Sequence, residues 1–140
     1  MNLLYANDTA GQYPNSWYAA TANTLPRFAT LKGVHKADVC VVGGGFTGLS
    51  AALHLAEADR DVVLVEAQRV GFGASGRNGG QLGSGQRVEQ DTLEKRVGLG
   101  HAKHLWQMGE EAKNLVKSLI SKHNIDCHLK PGVAHTASHG

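Results

Sequence analysis

Cysteine is scarce: Cys40 and Cys127 are the two in 140 residues, and they fit neither a CxxC motif nor a disulfide framework. A reducing cytoplasm is the expected setting. No apolar run approaches the ~20 residues a membrane span requires. The opening Met1-Asn2-Leu3-Leu4-Tyr5-Ala6-Asn7-Asp8 has no basic or apolar region of the kind that makes a secretory signal. Lys and Arg are scattered and the formal net charge is +2, so nothing points to nucleic acid or an anionic membrane as partner. There is no internal repeat. No Ser/His/Asp or Cys/His set marks a nucleophilic centre, and the catalytic residues stay unassigned. His101 and His104 stand three apart on a predicted helix, but two histidines without a third ligand do not make a zinc site. No metal is expected.

Glycine is in excess. The chain has 18, roughly twice the average share of ~7%, most of them between Gly43 and Gly100. Glycine concentrated in this way implies backbone at positive φ or backbone pressed against a ligand.

Residues 1–36 read as an arm in which Trp17 and Tyr18 are expected to pack on a larger body. From Ala37 the pattern changes. Asp38-Val39-Cys40-Val41-Val42 is a β-rich apolar run suited to a parallel strand buried on both faces, with Cys40 a small buried side chain. A helix is predicted from Phe46 to about Ala58, with Leu49, Ala52, Leu53 and Ala56 on its apolar face. Val62-Val63-Leu64-Val65 is a second strand. The result is a β–α–β unit with short connections. Residues 68–86 form a long glycine-rich loop. Helices are predicted at Glu89–Val97 and Gly100–Asn124, the second with a core stripe of Ala102, Leu105, Gly109, Ala112, Val116, Leu119 and His123. Asp91, Glu94, Glu110 and Glu111 read as solvated helix charges. Residues 37–125 are assigned to a Rossmann-type domain. Residues 126–140 are assigned to a strand pair around Lys130-Pro131-Gly132, with Cys127–Leu129 and Val133–Ala137 as its arms.

Gly43-Gly44-Gly45-Phe46-Thr47-Gly48 is a G-x-G-x-x-G that leaves a strand and opens a helix, where the motif has a mechanism. Gly43 permits the tight turn, Gly45 lets backbone approach a pyrophosphate, and Gly48 lets the helix pack close on the strand. The helix N-terminus offers unpaired N–H groups and partial positive charge to a diphosphate. Glu66 ends the second strand with 17 residues between it and Gly48. A carboxylate there can accept hydrogen bonds from an adenosine ribose, which suits NAD or FAD and disfavours NADP. Ala67 follows it directly. Gly73-Ala74-Ser75-Gly76-Arg77-Asn78-Gly79-Gly80-Gln81 then supplies flexible backbone, one cation and hydrogen-bonding side chains, a set that suits a phosphate and a polar ring edge.

With both motifs present, the sequence resembles the D-amino-acid-oxidase-like family of FAD oxidoreductases, through the Ser16-Trp17-Tyr18 arm, the Val41-to-Glu66 fingerprint and the Gly73-to-Gly80 loop. It is most similar to the amine-oxidising branch, which includes gamma-glutamylputrescine oxidases. The resemblance implies an α/β fold: a Rossmann-type FAD-binding parallel sheet with packed helices, truncated before the substrate-binding domain. It implies FAD as cofactor, with Ser75, Arg77, Asn78, Gly79 and Gly80 along the diphosphate and isoalloxazine. It also implies a small amine or amino acid as substrate, whose C–N bond is oxidised to an imine that water hydrolyses. Members of the family are much longer chains, so this sequence is expected to be their N-terminal portion. Two other readings stand beside this one: a non-catalytic dinucleotide-binding unit, and an NAD-dependent dehydrogenase.

Overall fold

In the computed structural model, residue 6 and residues 8–23 and 25–133 are described. The chain divides into two compact units, residues 1–79 and 80–140. The division falls inside the glycine-rich loop.

The first unit is built on two strands, β1 (Val39–Val42) and β2 (Val62–Val65), joined by helix α2 (Phe46–Glu57). The strands pair in parallel, Val39 opposite Val62 through Val42 opposite Val65. β-Branched side chains favour this pleated pairing. The start of the ladder is tied by the Asp38 carboxylate, which accepts from the Asp61 N–H at 3.0 Å. Helix α2 packs on both strands through its half-buried positions Gly48, Ala52, Leu53 and Leu55, two small and two large. Leu49 and Ala56, expected on that face, are exposed. A Cβ on Gly48 would fall on the Gly43 carbonyl and lie 3.3 Å from Val41 Cγ1. That close approach of helix to strand is possible because residue 48 is glycine.

Strand β1 is not buried on both faces. Val39 and Val41 are half-buried, whereas Cys40 is exposed and Val42 is 83% exposed. Only one face of these two strands is covered by α2, and side chains alternate along a strand. Helix α2 ends at Glu57, and Asp59, just past its C-cap Ala58, adopts φ 56°. The Arg60 N–H donates back to the Leu55 carbonyl there, a left-handed stop of the kind usually made by glycine.

The arm contains a short helix, α1 (Trp17–Thr21), capped by Ser16 Oγ, which accepts from the Ala19 N–H at 3.2 Å. Its two rings do not anchor it: Trp17 is 77% exposed and Tyr18 48%. Tyr13 does so instead, donating its hydroxyl to the Val70 carbonyl at 2.7 Å and lying under the Arg69 guanidinium at 4.6 Å.

The second unit is a helix pair, α3 (Gln90–Val97) and α4 (Leu99–Lys122), hinged at Gly98 with φ 82°. Leu93 and Ala102 are buried where the helices meet. On the predicted α4 stripe Leu105, Gly109 and Leu119 are half-buried, but Ala112, Val116 and His123 are exposed. Glu110 is not simply solvated, because Lys113 Nζ holds it at 2.7 Å and also donates to Ser84 Oγ. Cys127–Leu129 is not a strand. His128 sits at φ 52°, which breaks an extended conformation, and the proposed partner lies almost wholly in residues 134–140, outside the described residues. No helix among the described residues is long and apolar enough to cross a membrane.

Candidate dinucleotide-binding site

The glycine turn after β1 is fixed from several directions. The Gly43 N–H continues the ladder to the Val65 carbonyl at 2.7 Å, and Gly43 itself takes φ 105°. Gly44 is buried. Its N–H donates to Glu66 Oε2 at 2.7 Å, and its carbonyl accepts from the Gly71 N–H at 2.8 Å. Gly45 is the N-cap residue of α2 and has no side chain to satisfy the first turn. Ser75 does that from across the loop, its Oγ accepting from the Phe46 N–H at 2.9 Å.

Glu66 therefore has a defined pose. Oε2 takes the Gly44 N–H and Oε1 the Gln68 N–H at 2.9 Å. An ionised carboxylate has about four lone-pair sites, so acceptor capacity remains for a diol. The loop that follows folds back through a single 3₁₀ turn at Ala74–Gly76, where a Cβ on Gly76 would overlap the Gly71 carbonyl. Asn78 Nδ2 ties this turn down by donating to the Ser75 carbonyl at 2.9 Å.

These pieces surround an open cleft of about 800 Å³ lined by Glu66, Gln68, Phe72, Ser75, Arg77 and Asn78, with Gly45, Gly73, Ala74 and Asp8 completing it. Arg77 stacks over Phe72 at 4.9 Å, donates Nε–H to the Phe72 carbonyl at 2.9 Å, and pairs with Asp8 Oδ1 at 2.9 Å. The cleft thus gathers a helix N-terminus, a cation and an acid with spare lone pairs. That donor and acceptor set fits the diphosphate and ribose of a dinucleotide.

Of the residues expected from sequence, Gly45, Glu66, Ala74, Ser75, Arg77 and Asn78 line this cleft. Gly43, Phe46, Thr47 and Gly48 form the adjoining turn and first helical turn. Ala67 is exposed between Glu66 and Gln68, Gly79 closes the first unit, and Gly80 and Gln81 belong to the second. Gly44, Gln68, Phe72 and Asp8 were not anticipated. Gly44 had a readable signal, since it occupies the variable position of the motif yet is glycine.

The chain is 50% identical to the gamma-glutamylputrescine oxidoreductase of Escherichia coli (strain K12) over 121 residues, 86% of this chain and 28% of that protein. It is 48% identical to the "Probable oxidoreductase OrdL" of Rhizobium meliloti (strain 1021) over 126 residues, 88% of this chain and 29% of that one. The Haemophilus influenzae (strain ATCC 51907 / DSM 11121 / KW20 / Rd) protein of the same name is 43% identical over 123 residues. The chain spans less than a third of the length of each of these relatives. No solved structure matches it. Residues 38–140 match the DAO family, FAD dependent oxidoreductase, whose members bind FAD, and this excludes the NAD-dependent reading. A glycine turn, an acid and a GASGRNGG loop meeting at one cleft, on a chain matched over most of its length, make this protein a member of the DAO family of FAD dependent oxidoreductases.

Proposed function

We propose that the chain supplies the adenosine and diphosphate half of an FAD site in an enzyme that oxidises the C–N bond of an amine or amino acid. The observation that carries this is the posed Glu66 carboxylate beside the Ser75-capped start of α2. Glu66 accepts from the ribose hydroxyls of FAD with the lone pairs left over from Gly44 and Gln68. With the Phe46 N–H taken by Ser75 Oγ, the first-turn N–H groups of Thr47 and Gly48 are left for the diphosphate, with the helix dipole behind them. Ser75, Asn78 and Arg77 hold the loop against the same group. When bound, FAD supplies the two-electron chemistry, and the protein supplies position and electrostatics. The reaction class is supported by similarity to a protein named as a gamma-glutamylputrescine oxidoreductase. The free thiols of Cys40 and Cys127 fit a reducing compartment, the cytoplasm.

The test begins with a yellow, FAD-containing full-length protein. Adding primary and secondary amines should bleach the flavin absorbance, and gamma-glutamylputrescine should do so at the lowest concentration. Bound FAD that no amine or amino acid reduces would overturn the reaction while leaving the binding site intact. A second reading, dinucleotide binding without catalysis by these residues themselves, is favoured by one observation: the uncovered face of β1 at Cys40 and Val42.

A further inference from the structure

The arm and the glycine-rich loop are bound together more tightly than a connecting segment requires. The Gly11 N–H donates to Gln68 Oε1 at 2.6 Å, Tyr13 reaches Val70, and Arg69 Nη2 donates to the Leu25 carbonyl at 2.7 Å. Each contact joins the arm to the segment between Glu66 and the GASGRNGG loop. The last contact enters the cleft itself. Asp8, with a side chain 13% exposed, pairs with Arg77, which is 34% exposed, and both line the cleft. We infer that Asp8 is a positioning residue for FAD binding, holding the Arg77 guanidinium in the cleft through the Asp8–Arg77 ion pair. This rests on the reading of the cleft as the FAD site.

The physical argument turns on what Arg77 would do without its partner. An arginine side chain has large rotamer freedom, and fixing it before a ligand arrives removes an ordering cost at binding. Two contacts fix it here: Nε–H to the Phe72 carbonyl and Nη1–H to Asp8. Of five guanidinium N–H groups, these leave others to face an anion. Asp8 also carries a negative charge, which by itself repels a diphosphate. The two effects of Asp8 have opposite signs and can be separated. If positioning dominates, removing the side chain weakens FAD; if charge dominates, removal tightens it.

The test uses the full-length protein with FAD affinity measured by flavin fluorescence, and a second readout in the FAD-free protein. That readout is the rate at which phenylglyoxal, an arginine-selective reagent, modifies Arg77, followed by peptide mass mapping. Asp8→Ala should weaken FAD by roughly 3- to 10-fold, the range for loss of a partly exposed charged contact, and should speed modification of Arg77. Asp8→Asn keeps an oxygen for Nη1 and should stay within about 2-fold of the wild type in affinity. In an Arg77→Met background Asp8→Ala should have no further effect on FAD. Losses that add in the double variant, or FAD affinity that rises in Asp8→Ala, would overturn the inference. Should Asp8→Ala fail to fold, the same measurements on Asp8→Ser decide it. Glu66→Ala separates the two levels: weakened FAD in Glu66→Ala with normal FAD in Asp8→Ala rejects Asp8 alone. Normal FAD in both Glu66→Ala and Arg77→Met rejects the site.

Discussion

The backbone N–H of Gly44 donates to Oε2 of Glu66 at 2.7 Å, so the acid at the end of β2 holds the glycine turn at the end of β1. Glu66 therefore has a structural task before any ligand arrives. Replacing it removes two hydrogen bonds to a charged acceptor at a half-buried site, for which a stability loss of about 1–2 kcal/mol is expected. It also removes the ribose acceptor. Glu66→Ala should weaken FAD by about 1.5–3 kcal/mol, roughly 10- to 150-fold, and weaken FMN less because FMN lacks the adenosine ribose. Parallel titrations with the two flavins check this. Equal losses for both would mean that Glu66 acts only through the turn.

A second prediction concerns Gly45, whose missing side chain faces Ser75. A Cβ built there lies 2.9 Å from Ser75 Oγ, so Gly45→Val would displace the hydroxyl that caps Phe46. Overpacking of this kind costs about 1–3 kcal/mol, and FAD binding should be abolished. Combining Gly45→Val with Ser75→Gly should recover stability, because the clash partner is gone, without recovering FAD. Thermal unfolding and flavin titration of the two variants separate the effects. Full recovery of FAD in the double variant would show that the turn itself never approaches the cofactor.

The β–α–β order was legible because Val-rich runs, a glycine turn and the α2 pattern each report a local preference, and all three agree. Helices α3 and α4 were legible within one or two residues for the same reason. The bare face of β1 was not, since an apolar run describes what a strand can bury and not what is present to cover it. The Asp8–Arg77 pair joins residues 69 apart in sequence, and Tyr13 meets Val70 across 57; no periodicity carries such contacts. Trp17 and Tyr18 attracted the packing role that belongs to Tyr13, because ring size says nothing about which ring finds a carbonyl. His128 broke an expected strand through a left-handed backbone that histidine does not advertise.

A third prediction is a pH dependence in the second unit. Hydrogen bonds from Lys113 and then Ser84 hold the Glu110 carboxyl below its ordinary value of 4.5. A carboxyl with a depressed folded value stabilises the fold above the unfolded value, and that contribution is lost as pH falls through the folded one. Glu110 should therefore titrate below 4.5 when followed by carboxyl NMR. Lys113→Met should move its midpoint upward, and Glu110→Gln should flatten the acid-side loss of thermal stability. An unchanged midpoint in Lys113→Met would remove Lys113 as the cause.

The last prediction concerns residues 1–140 expressed by themselves: they should bind FAD weakly and oxidise no amine. A parallel sheet is normally covered on both faces, yet Val42 and Cys40 on β1 lie open, and both Phe46 and Leu49 at the start of α2 are exposed. Among the described residues the buried apolar side chains are Phe72, Leu93 and Ala102, and Phe72 alone of these belongs to the unit that carries the cleft. With so little burial, the turn, Glu66 and the Ser75 cap are expected to be formed together in only a fraction of isolated molecules. The affinity for FAD falls by the fraction of molecules that are competent. A dissociation constant above about 1 μM is expected, with no hydrogen peroxide released from an amine panel and no bleaching of added flavin. Uncovered strand edges and apolar faces also favour association between chains, so light scattering should rise with concentration, and added FAD should lower it only slightly. Sub-micromolar FAD affinity together with amine turnover would overturn this expectation, because the open faces of β1 and α2 would then have no bearing on cofactor binding or turnover.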